Sequence, residues 1–259
     1  MVPKILSCFK WVIDEAYIKA GGGRELDLEW VDYKISDYDR NAIEEAVQLQ
    51  EKYGGSVSAI TVARPDDTKG IKDALSRGPE KAYFINDSSF ENLEPSQTAA
   101  ILAEVISSQI EYDIIICGEG SSDLYARQVG PRLAELLGIP CISFAHKIEI
   151  EGEEVIVERK VDDGIEVYAA PFPVLITVLP DINSPRIPGL KDTLAASKKP
   201  VIEIEREDLT GKFEPCLVTT SINKADMGRN CQKLEGTADE LATLVDNLIK
   251  QCSISKGVK

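Results

Sequence analysis

The amino-acid sequence predicts an α/β fold: a doubly wound, mainly parallel sheet with an antiparallel extension, then a C-terminal arm and helix. Three observations predict it. Val57–Ala63 and Asp113–Cys117 are near-continuous β-branched or apolar runs, the pattern of strands buried on both faces. Amphipathic segments alternate with such runs through the first half, as crossover helices on a parallel sheet must. After Pro140 the rhythm changes to strand, short turn, strand, with Gly152 and Asp163-Gly164 as hairpin turns.

The elements follow in order. Lys4–Lys10 is a short apolar opening run, Gly21–Gly23 a turn, and Leu26–Val31 alternates like a strand. Ser36–Tyr53 reads as a helix: Ser36 or Asp37 can cap it, Ile43, Ala46 and Val47 share a face, and Gly54-Gly55 ends it. Helices are expected over Asp66–Arg77, Pro95–Ile110 and Leu124–Leu137, with a strand at Ala82–Ile85. Cys141–Ile150, Glu153–Lys160, Ile165–Ala170 and Val174–Leu179 form the antiparallel extension. Asp181–Lys199, rich in Pro, Gly and Ser, is an exposed loop leading into a short helix. Glu207–Glu235 is polar and weakly patterned, an arm rather than core. The division expected is therefore an α/β domain over 1–206 and an arm with helix over 207–259. That last helix opens on a capping box of Thr237 and Glu240, and Leu241, Leu244, Val245, Leu248, Ile249 and Cys252 form one apolar stripe. The stripe must be covered, either by the chain itself or by a partner.

Composition narrows the function. The 259 residues carry 44 acidic and 29 basic side chains, a net charge of −15, which disfavours nucleic-acid binding. The longest uncharged apolar stretch, Tyr168–Pro180, holds three prolines and is too short to cross a bilayer. The first ten residues run into Trp11, Asp14 and Glu15 without a signal-peptide pattern, so a cytoplasmic location without membrane insertion is expected. None of the six cysteines stands at CxxC spacing and His146 is the only histidine, so free thiols and no metal site are expected. No nucleophile elbow or His-Glu-x-x-His pattern occurs, and one histidine offers little acid–base chemistry near neutrality. No catalytic residue is therefore assigned, and a carrier or binding subunit is favoured over a hydrolase.

The sharpest chemical feature is the segment from Gly118 to Pro131, where an apolar strand runs into a loop and then a helix. Ligands of open α/β sheets bind at the carboxyl ends of strands. Gly118 and Gly120 let backbone approach a phosphate, a following helix start offers N–H groups, and the Ser121 and Ser122 hydroxyls add donors. The spacing is neither the G-x-G-x-x-G fingerprint nor a Walker A loop, so on chemistry alone an ordinary turn capped by Ser122 or Asp123 is the weightier reading. Asp123 suits a helix cap or a ribose hydroxyl. A second feature is the loop Ile182–Leu190, in which Pro185 and Pro188 bracket Arg186 and Leu190 is an apolar residue fit to anchor a partner, although a plain surface connection is the weightier reading of these residues alone.

Three blocks, Ser36–Gly55, Gly118–Pro140 and Ile182–Pro200, resemble in order and spacing the signature blocks of electron-transfer flavoprotein beta subunits. The likeness runs from Lys4 to about Arg206, and Gly-Glu-Gly-Ser-Ser-Asp-Leu-Tyr at 118–125 is most similar to the FixA-like branch, linked to carnitine metabolism and nitrogen fixation. The resemblance implies a Rossmann-like, adenine-nucleotide-binding domain that pairs with an FAD-carrying alpha subunit into a heterodimer. It implies an electron carrier, not an enzyme, taking electrons from an acyl-CoA dehydrogenase-type flavoprotein to a quinone oxidoreductase or ferredoxin. The FAD is held mainly by the alpha subunit, and this subunit holds AMP or a second FAD.

Carried over by position, the cofactor contacts fall on Cys8, Ser36, Asp37, Tyr38, Asp39, Val62, Gly118, Glu119, Gly120, Ser121, Ser122, Asp123, Gln128 and Val129. Asn183, Pro185, Arg186 and Leu190 match the partner-docking loop, and the C-terminal arm and helix match the region that clasps the alpha subunit. The sequence departs from the family at Glu119 and Gly120, where a basic residue and Gln are usual, at Leu124-Tyr125 in place of an acidic pair, and at Ser36-Asp37 in place of Asn-Pro. An acidic Glu119 should weaken a pyrophosphate contact. A stand-alone adenine-nucleotide-binding domain of the stress-protein type is the alternative reading, followed by an adenylate-using enzyme on the same fold.

Overall fold

The computed structural model describes residues 2–20, 26–28, 30–223, 231 and 233–255; the turn expected at Gly21–Gly23 lies outside the described residues. In chain order the elements are β1 (Lys4–Cys8), β2 (Trp11–Ile13), β3 (Lys19–Ala20), β4 (Leu26–Asp27), β5 (Tyr33–Ile35), α1 (Asp37–Tyr53), β6 (Ser56–Ala63), α2 (Thr68–Ser76), β7 (Lys81–Asn86), α3 (Pro95–Gln109), β8 (Ile114–Gly118), α4 (Val129–Leu137), β9 (Cys141–Glu151), β10 (Glu154–Val161), β11 (Gly164–Pro171), β12 (Val174–Val178), α5 (Leu190–Ala196), β13 (Val201–Glu205) and α6 (Ala238–Ser255).

Nine strands form one sheet in the order β11-β10-β9-β12-β8-β1-β6-β7-β13. From β9 to β13 every neighbouring pair is parallel. Within this sheet only the pairs β9–β10 and β10–β11 are antiparallel, joined by turns at Gly152 and Gly164, both with positive φ. Side chains of β1 alternate between two cores. Ile5 joins the cluster built with Ile43, Ala46 and Val47 of α1 and Ile71 and Leu75 of α2, whereas Leu6 joins the one with Leu102 and Ile106 of α3 and Leu133 of α4. Helices on both faces explain why Ile114, Ile115 and Ile116 are consecutive and all fully buried. Each such side chain contributes about 1.5–3 kcal/mol of burial.

The structure corrects the sequence reading in four places. First, Val174–Val178 belongs to the parallel core, between β8 and β9, not to the antiparallel extension. Second, Val201–Glu205, unassigned from sequence, is the parallel edge strand beside β7. Third, the strand expected over Leu26–Val31 is the two-residue β4, paired with β3. Fourth, the helix expected over Leu124–Leu137 starts only at Val129, because Tyr125 and Arg127 adopt left-handed backbone angles that no helix continues through.

The segment after β13 is held to α3 at first. Leu209 is buried, the Glu104 carboxylate accepts from the Thr210 and Gly211 amides at 2.6 and 3.0 Å, and Gln97 Nε2 donates to the Phe213 carbonyl at 2.6 Å. From Glu214 to Asn223 the chain is exposed. At the start of α6 the Thr237 amide and hydroxyl both donate to Glu240, at 2.8 and 2.9 Å, as a capping pair should. Leu244, Val245, Leu248 and Ile249 of its stripe are exposed; the Cys252 side chain lies outside the described residues.

Candidate functional site

Chain order reverses across the sheet at β1. From β1 the chain crosses through α1 to β6 on one side, while β8 lies on the other. Such a reversal opens a crevice beyond the carboxyl ends of the two strands. The chain leaving β1 supplies Lys10, the chain leaving β8 supplies Gly118 to Asp123, and the start of α1 stands over both.

Asp39, in the first turn of α1, ties the three together. Its Oδ2 accepts from the Lys10 amide at 2.8 Å and its Oδ1 from the Gly118 amide at 3.2 Å. The carboxyl is buried, and burial pushes its pKa up to about 7 against the pull of those two amides. Gly118 is required by this closeness, since a Cβ there would stand 2.7 Å from both Asp39 Oδ1 and Tyr38 Cβ. Ser36, expected to cap α1 with its side chain, makes no cap bond. Its hydroxyl instead accepts from the Ser122 amide at 3.3 Å, and the Asp37 amide donates to Ser122 Oγ at 3.4 Å. These paired bonds lock the Gly118 loop to the helix. Lys10 Nζ lies 2.5 Å from Asp123 Oδ2. Burial works against the charged form of Asp123, but Lys10 outweighs it and holds the pKa below the usual carboxylate value.

Between these elements lies a cleft of about 350 Å³, lined among others by Asp37, Tyr38, Ser121, Ser122 and Tyr125. Its walls are two aromatic rings, serine hydroxyls and carboxylates. The Tyr38 and Tyr125 rings lie 5.2 Å apart at 33°, and the Arg127 guanidinium sits 4.9 Å over Tyr125. The Tyr125 hydroxyl donates to Oε1 of buried Glu119 at 2.6 Å, a bond that raises the phenol pKa to about 12.

The structure thus brings together Ser36, Asp37, Tyr38, Asp39 and Gly118 to Asp123. Cys8 and Val62 lie near the carboxyl ends of adjacent strands; Cys8 is buried beside Cys117, and Val62 packs against the α3 side of the core. Gln128 is the N-cap of α4 and accepts from Arg132 Nε at 3.0 Å; Val129 is half-buried behind it. Sequence reasoning passed over Lys10, Glu15 and Pro180, and gave Tyr125 and Arg127 no role of their own. The aromatic at 125 beside a conformationally free glycine at 120 was the available signal.

The cradle differs from the one expected. Asp123 and Ser122 do not cap a helix, and three loop amides are spent internally: Gly118 on Asp39, Ser122 on Ser36, and Glu119 on the Val178 carbonyl at 3.1 Å. These residues fit the nucleoside part of a nucleotide, with aromatic faces and hydroxyl-accepting carboxylates. In this arrangement they offer little to a phosphate.

The loop from Asn183 to Leu190 is pinned from beneath. Asn183 Nδ2 donates to the Asn41 carbonyl and Glu45 Oε2, at 3.1 and 3.0 Å. Arg186 grips Glu44 with Nε at 2.8 Å and Nη2 at 3.1 Å, and reaches Glu51 with Nη1 at 2.9 Å. Asn183, Arg186 and half-buried Pro185 therefore shape the loop. Ile187, at 92% exposure, and Leu190, at 78%, are what it presents, with Leu194 beside them.

Among the described residues no group of three potential metal ligands occurs, no helix is long and apolar enough to cross a membrane, and Cys8, Cys117, Cys141, Cys216 and Cys231 are free. Residues 27–209 match the family model described as the electron transfer flavoprotein domain. That span holds the glycine loop, all of α1, strands β5 to β13 and the pinned loop, and on it the chain belongs to the electron transfer flavoprotein family.

Proposed function

We propose that this chain is a beta-type subunit of an electron-transfer flavoprotein, of the FixA-like branch. It pairs with an FAD-carrying alpha subunit, and in its own cleft holds an adenine nucleotide, AMP or the adenosine end of a second FAD. Electrons come from an acyl-CoA dehydrogenase-type flavoprotein and leave to a quinone oxidoreductase or ferredoxin, in carnitine metabolism or nitrogen fixation. The observation that carries this reading is the cleft at the chain reversal, with aromatic, hydroxyl and carboxylate walls, in a member of this family.

Bound flavin supplies the one- and two-electron chemistry. The chain's own work is positioning. Tyr38, Ser121 and Ser122 hold the nucleoside, and Asp39 keeps the ends of β1 and β8 in register beneath it. The loop from Asn183 to Leu190 docks the electron donor through Ile187 and Leu190. The exposed stripe of α6 clasps the alpha subunit, in a division into a domain over 1–206 and a clasping arm and helix over 207–259.

Co-expression with an alpha-type chain tests this. The expected result is a yellow one-to-one complex that releases flavin and adenine nucleotide on denaturation, in a ratio that separates AMP from a second FAD. A colourless chain that stays alone and stable overturns it.

A further inference from the structure

Tyr125 makes, within the chain, the two contacts a nucleoside would make in this cleft. Its ring lies against Tyr38, where a base would stack. Its hydroxyl donates to the Glu119 carboxylate, as a ribose hydroxyl does to the acid of many nucleotide sites. The ring also covers the glycine turn: a Cβ on Gly120 would come within 2.6 Å of Tyr125 Cδ2. This pose strains the backbone. Tyr125 and Arg127 stand at φ 47° and 55°, a region bulky residues rarely enter, and such strain gathers at ligand clamps and switches.

We propose that Tyr125 is a tethered competitor for the cleft: a nucleoside enters when Tyr125 leaves Tyr38 and Glu119, and then stacks its base on Tyr38 and donates a ribose hydroxyl to Glu119. This rests on the nucleotide reading of the cleft. It gives the acid in the glycine turn a use. Glu119 reads a vicinal diol rather than repelling a phosphate, and Tyr125 holds that carboxylate until the diol arrives.

The test uses the full chain, together with any partner that co-purifies, dialysed free of small molecules. Binding of AMP, adenosine and 2′,3′-dideoxyadenosine is measured by calorimetry. Tyr125→Ala should bind AMP and adenosine about tenfold more tightly than wild type, the factor that one hydrogen bond to a charged acceptor represents. Tyr125→Phe, which keeps the ring and serves if the alanine variant does not fold, should gain a smaller factor. Adding Glu119→Gln to Tyr125→Phe should erase the preference for adenosine over the dideoxy compound. If wild type binds AMP and the Tyr125 variants bind it equally, the competitor is overturned and the nucleotide site stands. If none of them binds AMP at millimolar concentration, both readings fall.

Discussion

Replacing Arg186 with alanine tests the claim that the loop from Asn183 to Leu190 is posed by α1. The Glu44 side chain is only 6% exposed, and its carboxylate receives Arg186 Nε at 2.8 Å, Nη2 at 3.1 Å and the Arg186 amide at 3.0 Å. Without the guanidinium, Glu44 keeps that amide and Gln48 Nε2 at 2.8 Å, too little for a buried charge. Stranding one partner of a fully buried pair costs about 3–5 kcal/mol. The Arg186 side chain is 35% exposed, so water reaches the gap and the expected cost falls to about 2–3 kcal/mol. Glu51→Ala removes the other contact, but that carboxylate is 59% exposed and its loss should cost less than about 1 kcal/mol. Burial pushes the Glu44 pKa up, but the bonds from Arg186 prevail and hold it below the ordinary value. The stability this lends is present above the unfolded-state pKa of Glu44 and is lost as pH falls through the depressed folded one. Urea unfolding should therefore show a gap between wild type and Arg186→Ala at neutral pH that narrows on acidification. Glu44→Gln in the same background should recover part of the loss. An Arg186→Ala cost no greater than that of Glu51→Ala, with no narrowing in acid, would refute the reasoning.

Other expectations follow from the same geometry. Leu190→Ala should slow electron transfer from the dehydrogenase through about 1–3 kcal/mol of lost docking, with flavin content intact; unchanged kinetics would remove the docking role. Gly118→Ala should destabilise the chain by about 1–3 kcal/mol and free the Gly118 loop, because Asp39 Oδ1 and Tyr38 stand in the way of the new methyl. Gly189→Ala, whose nearest neighbour would be Asp192 Oδ2 at 3.4 Å, should be nearly neutral, and equal costs for the two would count against the close approach. Asp39 has a folded pKa raised to about 7, so its contribution is fully present below the unfolded carboxylate pKa and fades as pH rises through about 7. Asp39→Asn should lack that slope between about pH 4 and 7; parallel stability profiles for the two proteins would contradict the burial argument.

The sheet was legible in the sequence where burial is two-sided. A run such as Ile114–Cys117 can only be a strand between two helical layers. Chain direction was not legible: Val174–Val178 follows a hairpin and looks antiparallel, and only its pairing with β8 shows otherwise. The glycine loop could be located but not drawn. Leu124 to Gln128 has ordinary helix formers, yet the Tyr125 hydroxyl reaches Glu119 and its ring reaches Tyr38, and those long-range contacts prevail over local propensity. Likewise Arg186 looks from sequence like an exposed recognition residue. Its partners, Glu44 and Glu51, are over 130 residues away, beyond any local pattern.

Helix α1 gives the molecule its functional geometry. Its first turn carries Asp37 and Tyr38 into the cleft, with buried Asp39 holding the ends of β1 and β8 beneath them. Farther along, Asn41, Glu44 and Glu45 hold the loop that exposes Ile187 and Leu190. These residues are polar yet buried, at positions where a helix lying on a sheet would otherwise carry apolar ones. Burying them without partners would be costly, and each has one. The cleft and the loop from Asn183 to Leu190 are therefore set at a fixed separation by one rigid element. For the carrier proposed above, which would hold a cofactor at transfer distance while meeting an external partner, that fixed separation is the quantity the fold has to supply.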